Sequence, residues 1–153
     1  ATMCGFLFWG TAAARLARFG ITATALFMVG AALFLLVQLL LSLGVTRGAA
    51  ALWIGWGFFG TSGSLAFAII SQSFPMALTG RANTALNLLV FLSAFAAQWA
   101  FGAVVNLWPL ESGGYQPQGY AAAFGLFFLL QLAAFSWMLL QLFRQRRRAD
   151  RRD

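Results

Sequence analysis

The chain of 153 residues has no histidine and no lysine, only one cysteine, and only three acidic residues. Without imidazole, no side chain can serve near neutral pH as the usual proton shuttle, metal ligand or pH switch. A lone Cys4 rules out an intrachain disulfide and any multi-cysteine metal site. The acids, Glu111, Asp150 and Asp153, all lie outside the apolar stretches, so no pair of carboxylates can flank a substrate inside a membrane. No catalytic, cofactor-binding or metal-ligating set emerges, and the expectation is a protein that is not an enzyme and carries no cofactor. Charge is scarce as well: 8% of residues are charged, against about 25% in soluble domains. Between Phe19 and Phe143 only Arg47, Arg81 and Glu111 carry charge. That is too little polarity to cover a water-soluble domain.

What is abundant is apolar residues, 61% of the chain. They gather in four uncharged runs, residues 20–43, 49–74, 82–107 and 120–143. At 1.5 Å per residue, each makes a helix of about 36–39 Å, enough to cross a hydrocarbon core of about 30 Å with some tilt. The three prolines, Pro75, Pro109 and Pro117, fall between the runs, where no helical N–H is required. The expected fold is therefore all-α, a polytopic membrane helical bundle of four full spans across residues 20–143. Residues 1–14 are apolar but too short to span, begin without Met and have no basic residue before the apolar part, unlike a signal peptide. They read as the end of a further, truncated transmembrane helix, followed by a loop at 15–19.

All ten basic residues are arginine, and the net charge is +7. Their placement at the ends of apolar runs is that of topology signals, not of a basic face for nucleic acid, so no nucleic-acid partner is expected. If the loop holding Arg15 and Arg18 is cytoplasmic, Arg81 and the tail at 144–153 are cytoplasmic too, and only Arg47 lies outside. The positive-inside rule favours this orientation, with the C-terminus inside. Trp53, Trp56, Trp108, Tyr115 and Tyr120 cluster toward the other side, where amphipathic rings anchor at an interface. The tail reads as a basic anchor beside anionic lipid, and the connection over 108–119, with two prolines and three glycines, reads as a flexible surface loop.

Polar residues inside the spans are the candidates for function. In the third span Asn83, Asn87 and Gln98 fall within about 60° around a helix. Lipid offers an amide no partner, so the stripe should face protein or a water-filled cavity. Packing suits Asn83 and Asn87; Gln98 and its neighbour Trp99 sit deeper. The second span carries Gly55, Gly57, Gly60 and Gly63 with Thr61, Ser62 and Ser64. Its Gly-x-Gly-x-x-Gly spacing follows no strand and is not a nucleotide fingerprint. Packing is one reading; the other is a bendable helix with Thr61 and Ser64 turned to a cavity. The candidate cavity-lining set is Thr61, Ser64, Asn87, Gln98 and Trp99. Thr24, Gln38 and Ser42 form a mild polar line on the first span, and Gln131, Ser136 and Gln141 are scattered on the fourth; these plainer spans are poor candidates for a site.

The stretch from Gly10 through Arg15 and Arg18 to Gly20 resembles the cytoplasmic signature of the major facilitator superfamily: Gly, three residues, Asp, Arg, one residue, Gly, then basic residues. Gly10, Arg15 and Arg18 match, while Ala14 and Ala17 stand where the family has Asp and Gly. A weakened copy of this kind joins helices eight and nine of that family, which would make the four spans helices nine to twelve. The turn Phe74-Pro75 to Gly80-Arg81 then is similar to the family's ten–eleven turn. There Thr79 could cap the following helix, Gly80 allow close approach, and Arg81 pair with an acid or phosphate. The resemblance implies the C-terminal part of an alternating-access secondary transporter of a small solute, of bacterial inner-membrane type. Its partners would be the lipid bilayer, a small-molecule substrate and the transporter's own N-terminal helices. The alternatives are a stand-alone membrane scaffold or subunit with a basic partner-binding tail, and a membrane enzyme that borrows its catalytic groups.

Overall fold

The computed structural model describes residues 1–110 and 113–149. Six α-helices follow one another: α1 (Thr2–Leu16), α2 (Ala23–Ser42), α3 (Ala49–Gly60), α4 (Leu65–Ser73), α5 (Met76–Val105) and α6 (Pro117–Ala149). A 3₁₀ turn, Ala17–Phe19, joins α1 toward α2, and a 3₁₀ segment, Thr61–Ser64, joins α3 directly to α4. The chain is an all-α bundle. Four helical stretches are long and apolar enough to cross a membrane: α2, α3–α4 as one 25-residue rod (Ala49–Ser73), α5, and α6 over Pro117–Gln145.

The helix boundaries follow local chemistry. Thr22 has extended backbone and its Oγ1 accepts from the Ala25 N–H at 3.2 Å, a side-chain cap that starts α2. Pro75 ends α4 and serves as the N-cap of α5, so α5 starts at Met76, six residues before the apolar run. Thr79 therefore does not cap that helix: it lies inside the first turn, and its hydroxyl donates back to the carbonyls of Phe74 and Pro75. Gly80 is helical, with open space where a side chain would stand, so it mediates no close approach. At 30 residues α5 is about 45 Å long and outreaches the hydrocarbon core, which lets Arg81 extend its guanidinium to the interface. Likewise α6 starts at Pro117 and runs through Arg144, Arg147 and Arg148 to Ala149, so most of the expected basic tail is a helical extension. Arg151, Arg152, Asp150 and Asp153 lie outside the described residues, as does Glu111.

The connection from α5 to α6 is a bridged hairpin, not an unconstrained loop. Pro109 and Tyr115 pair across an antiparallel bridge, and the Gln116 N–H donates to the Trp108 carbonyl at 3.0 Å.

The four spans form a ring in which α2 touches α3–α4 and α6, while α5 touches α4 and α6. The short α1 leans mainly against α3 and the 3₁₀ segment. Alternation along the ring sets Arg15, Arg18, Arg81 and the arginines of α6 at one end of the bundle, and Arg47 at the other. An aromatic cluster knits the Arg47 end: Phe124 stacks against Trp53 (centroids 5.8 Å) and Phe101 (5.3 Å), and Trp56 against Phe34 (5.6 Å). Burial is inverted relative to a soluble protein. Gln38, Thr61 and Ser62 are buried while Phe95, Phe91 and Leu88 are exposed, the arrangement expected when the solvent is lipid.

Candidate functional site

Among the described residues, one membrane span departs from α-helical winding, at the 3₁₀ segment Thr61–Ser64, and several polar side chains of the bundle meet at this break in the α-helix. Thr61 Oγ1 donates to the Phe58 carbonyl at 2.6 Å, and from α1 the Trp9 indole N–H donates to the same oxygen at 3.2 Å. Two glycines receive the segment. A Cβ on Gly5 of α1 would overlap Thr61 Oγ1 and stand 2.8 Å from the Phe58 carbonyl oxygen. A Cβ on Gly30 of α2 would overlap the Ser62 side chain and stand 3.0 Å from the Trp9 ring. Backbone and hydroxyls can approach this closely only because neither position carries a side chain. The break is thus held on two sides by α1 and α2. At the place where a bendable helix was expected, the span changes its winding from α to 3₁₀ and is clamped there.

Its other sides open onto two cavities. One, of about 550 Å³, is lined by Thr61, Ser64 and Trp56, with Thr2 and Phe6 from α1 and Val90 from α5. The Trp56 indole N–H itself is buried away from this space, without a hydrogen-bond partner among the described residues. The other cavity, of about 290 Å³, lies between α2, the break and α6, and its polar lining residues are Ser62 and Gln131. Two of the candidate residues, Thr61 and Ser64, therefore line the larger cavity.

The structure does not bring the other three to either cavity. Asn87, Gln98 and Trp99 are exposed on α5, Trp99 by 73%, on a face that no helix of the described residues covers. Asn83, on the same stripe, turns to α4, where its Nδ2 donates to Ser71 Oγ at 2.9 Å and its Oδ1 is buried without a partner. The packing reading holds for Asn83. Of the loop residues, Gly10 lies in exposed α1 with open space beside it, Arg15 closes that helix, Arg18 sits in the 3₁₀ turn, and Gly80 and Arg81 lie in the first turns of α5.

Two polar residues set aside as poor candidates for a site, and one tryptophan with no expectation attached, take part in the packing. Gln38 is 2% exposed, and its Nε2 donates across to the Phe124 carbonyl of α6 at 3.4 Å. Gln131 buries its Oε1 without a partner. Trp9 ties α1 to both α2 and α3. The glutamines carried a signal, since an uncharged amide amid twenty apolar residues has to find protein; the role of Trp9 carried none. Among the described residues no group of three or more His, Cys, Asp or Glu side chains could hold a metal, and Cys4 is free and exposed on α1. Compared with protein-family models, curated proteins and solved structures, the chain matches none.

Proposed function

We propose that the chain is the C-terminal part of an alternating-access secondary transporter of the major facilitator type, moving a small uncharged or weakly polar solute. The observation that carries this reading is the cavity beside the helix break. Discontinuous spans with small and hydroxyl-bearing residues are where transporters of several folds place their substrates and their moving joints. Here Thr61 and Ser64 would offer the solute hydrogen bonds. Asn87 and Gln98 support the same reading. An amide facing hydrocarbon is costly, so their uncovered face suits burial against further helices of the transporter. In this reading the arginine-rich end is cytoplasmic in a bacterial inner membrane, and coupling to an ion would depend on groups outside these spans.

A second reading has its own support. The same uncovered face of α5, together with exposed Arg144, Arg147 and Arg148, suits a small membrane subunit that docks a partner chain and anionic lipid. Intact mass spectrometry of the native gene product separates the two. More than twice the mass of this chain is expected; a product of this chain's own mass would overturn the transporter reading and leave the subunit. Reconstituted alone, the 153-residue chain is expected to give no solute flux in proteoliposomes.

A further inference from the structure

The uncovered face of α5 has two parts. On one flank stand bulky apolar side chains, Leu88, Phe95 and Trp99, each at least 60% exposed, as suits lipid. Beside them runs a seam of different character: Gly80, Thr84, Asn87, Phe91, Ala94 and Gln98, all exposed. Their spacing alternates four and three residues, which keeps them within about 80° around the helix. That alternation is the repeat with which two helices pack side by side at about +20°, in membranes as in coiled coils. The seam is mostly small or polar. Open space lies beside Gly80, and the Thr84 hydroxyl is satisfied within its own helix, donating to the Gly80 carbonyl at 3.0 Å.

The two amides make the seam more than a lipid-facing surface. Asn87 and Gln98 both lie within about 12 Å of the middle of α5, inside a hydrocarbon core whose half-thickness is about 15 Å. Hydrocarbon offers neither a partner, so the seam calls for a helix that carries a hydrogen-bonding group at each of these two depths. A second copy of this chain meets both demands at once. Copies inserted by the same arginine signals share one orientation, so two α5 helices run parallel about a twofold axis along the membrane normal. Asn87 then faces the partner's Asn87, and Gln98 the partner's Gln98. Each amide carries both donor and acceptor, so the pairs bond whichever way the groups are turned. Arg81 lies about 100° around the helix from Gly80, so the pairing brings no guanidinium groups face to face. We propose that this seam is a self-recognition surface, through which two copies of the chain form a parallel dimer, α5 against α5.

Self-association of the 153-residue chain is separate from transport: the mass of the native product decides between the two readings above, whatever the seam does. The test uses this chain in phosphatidylcholine vesicles, in a Cys4→Ser background. Ala94→Cys, on the seam, should cross-link to a dimer on oxidation with copper–phenanthroline. Leu92→Cys, about 160° away around the helix, should not. Single-molecule photobleaching of a dye on Arg148→Cys should show two steps. Asn87→Leu and Gln98→Leu should each weaken the dimer roughly 3- to 30-fold. Ala94→Phe should leave monomers while Leu92→Phe leaves the dimer intact, with helix content by circular dichroism as the folding control. One-step bleaching at every protein-to-lipid ratio, equal cross-linking at the two cysteine positions, or a dimer unchanged in the Asn87→Leu and Gln98→Leu variants would each overturn the proposal. If Ala94→Phe does not fold, the two amide variants decide.

Discussion

The indole N–H of Trp9 and the hydroxyl of Thr61 converge on one acceptor, the carbonyl oxygen of Phe58. That oxygen lies three residues before the 3₁₀ segment opens at Thr61. In lipid no water competes for such a carbonyl. The short helix α1 thus ties itself to this part of the span through a single side chain. The Trp9 ring also packs beside Gly30 of α2, and one residue ties three helices at the break.

Restoring a side chain at either glycine notch should destabilise the fold. Gly5→Ala and Gly30→Ala each force a Cβ into Thr61 or Ser62, at a cost of about 1–3 kcal/mol. Gly63→Ala, in the same segment but facing open space, should leave stability nearly unchanged. Thermal unfolding in detergent, followed by tryptophan fluorescence, reads all three; a Gly63→Ala loss as large as the others would contradict the two-notch geometry.

Gln38 joins α2 to α6 from a buried position. Interhelical side-chain hydrogen bonds in membrane proteins average about 0.6 kcal/mol, so Gln38→Leu, which keeps the volume, should cost about that much. Gln38→Ala also opens a cavity and should cost at least about 2 kcal/mol more. The same unfolding measurement ranks them, and equal losses would show that volume plays no part at this site.

Ser71 and Asn83 bind each other across the α4–α5 turn. A double-mutant cycle of Ser71→Ala and Asn83→Ala should give a coupling between about 0.6 and 1.7 kcal/mol. Simple additivity of the two single variants would mean that the contact contributes nothing to stability.

Topology can be read by cysteine labelling in a Cys4→Ser background. With the arginine-rich end cytoplasmic, Val45→Cys should react with an impermeant maleimide added to intact cells. Arg148→Cys should react only after the membrane is opened. The reverse pattern would invert the orientation drawn from the positive-inside rule.

The four spans were legible because uncharged apolar runs of this length have few alternatives. Their ends were less so. Arg81 interrupts an apolar run without interrupting a helix, since a long side chain reaches the interface from a turn or two inside, and α5 therefore begins well before the run does. The Asn83–Gln98 stripe was legible as a face, but periodicity does not say which neighbour a face meets; Asn83 found Ser71, while Asn87 and Gln98 met none. Thr61 and Ser64 line a cavity, though their small, polar surroundings suit close helix packing equally well. Gln38 and Gln131 looked like isolated polar residues on plain helices, because a nearly uniform apolar helix gives no inward direction from sequence alone. Gly5 and Gly30 became notches only through tertiary contact.

The 3₁₀ segment also acts on the azimuth of everything that follows it. Each 3₁₀ residue turns the chain by about 120°, against about 100° in an α-helix, so four of them rotate α4 by about 80° relative to a straight continuation of α3. Winding those four residues back into an α-helix would swing Ser71 most of a quarter-turn away from Asn83. The partnership at the far end of the span is in that sense a readout of the winding at its middle.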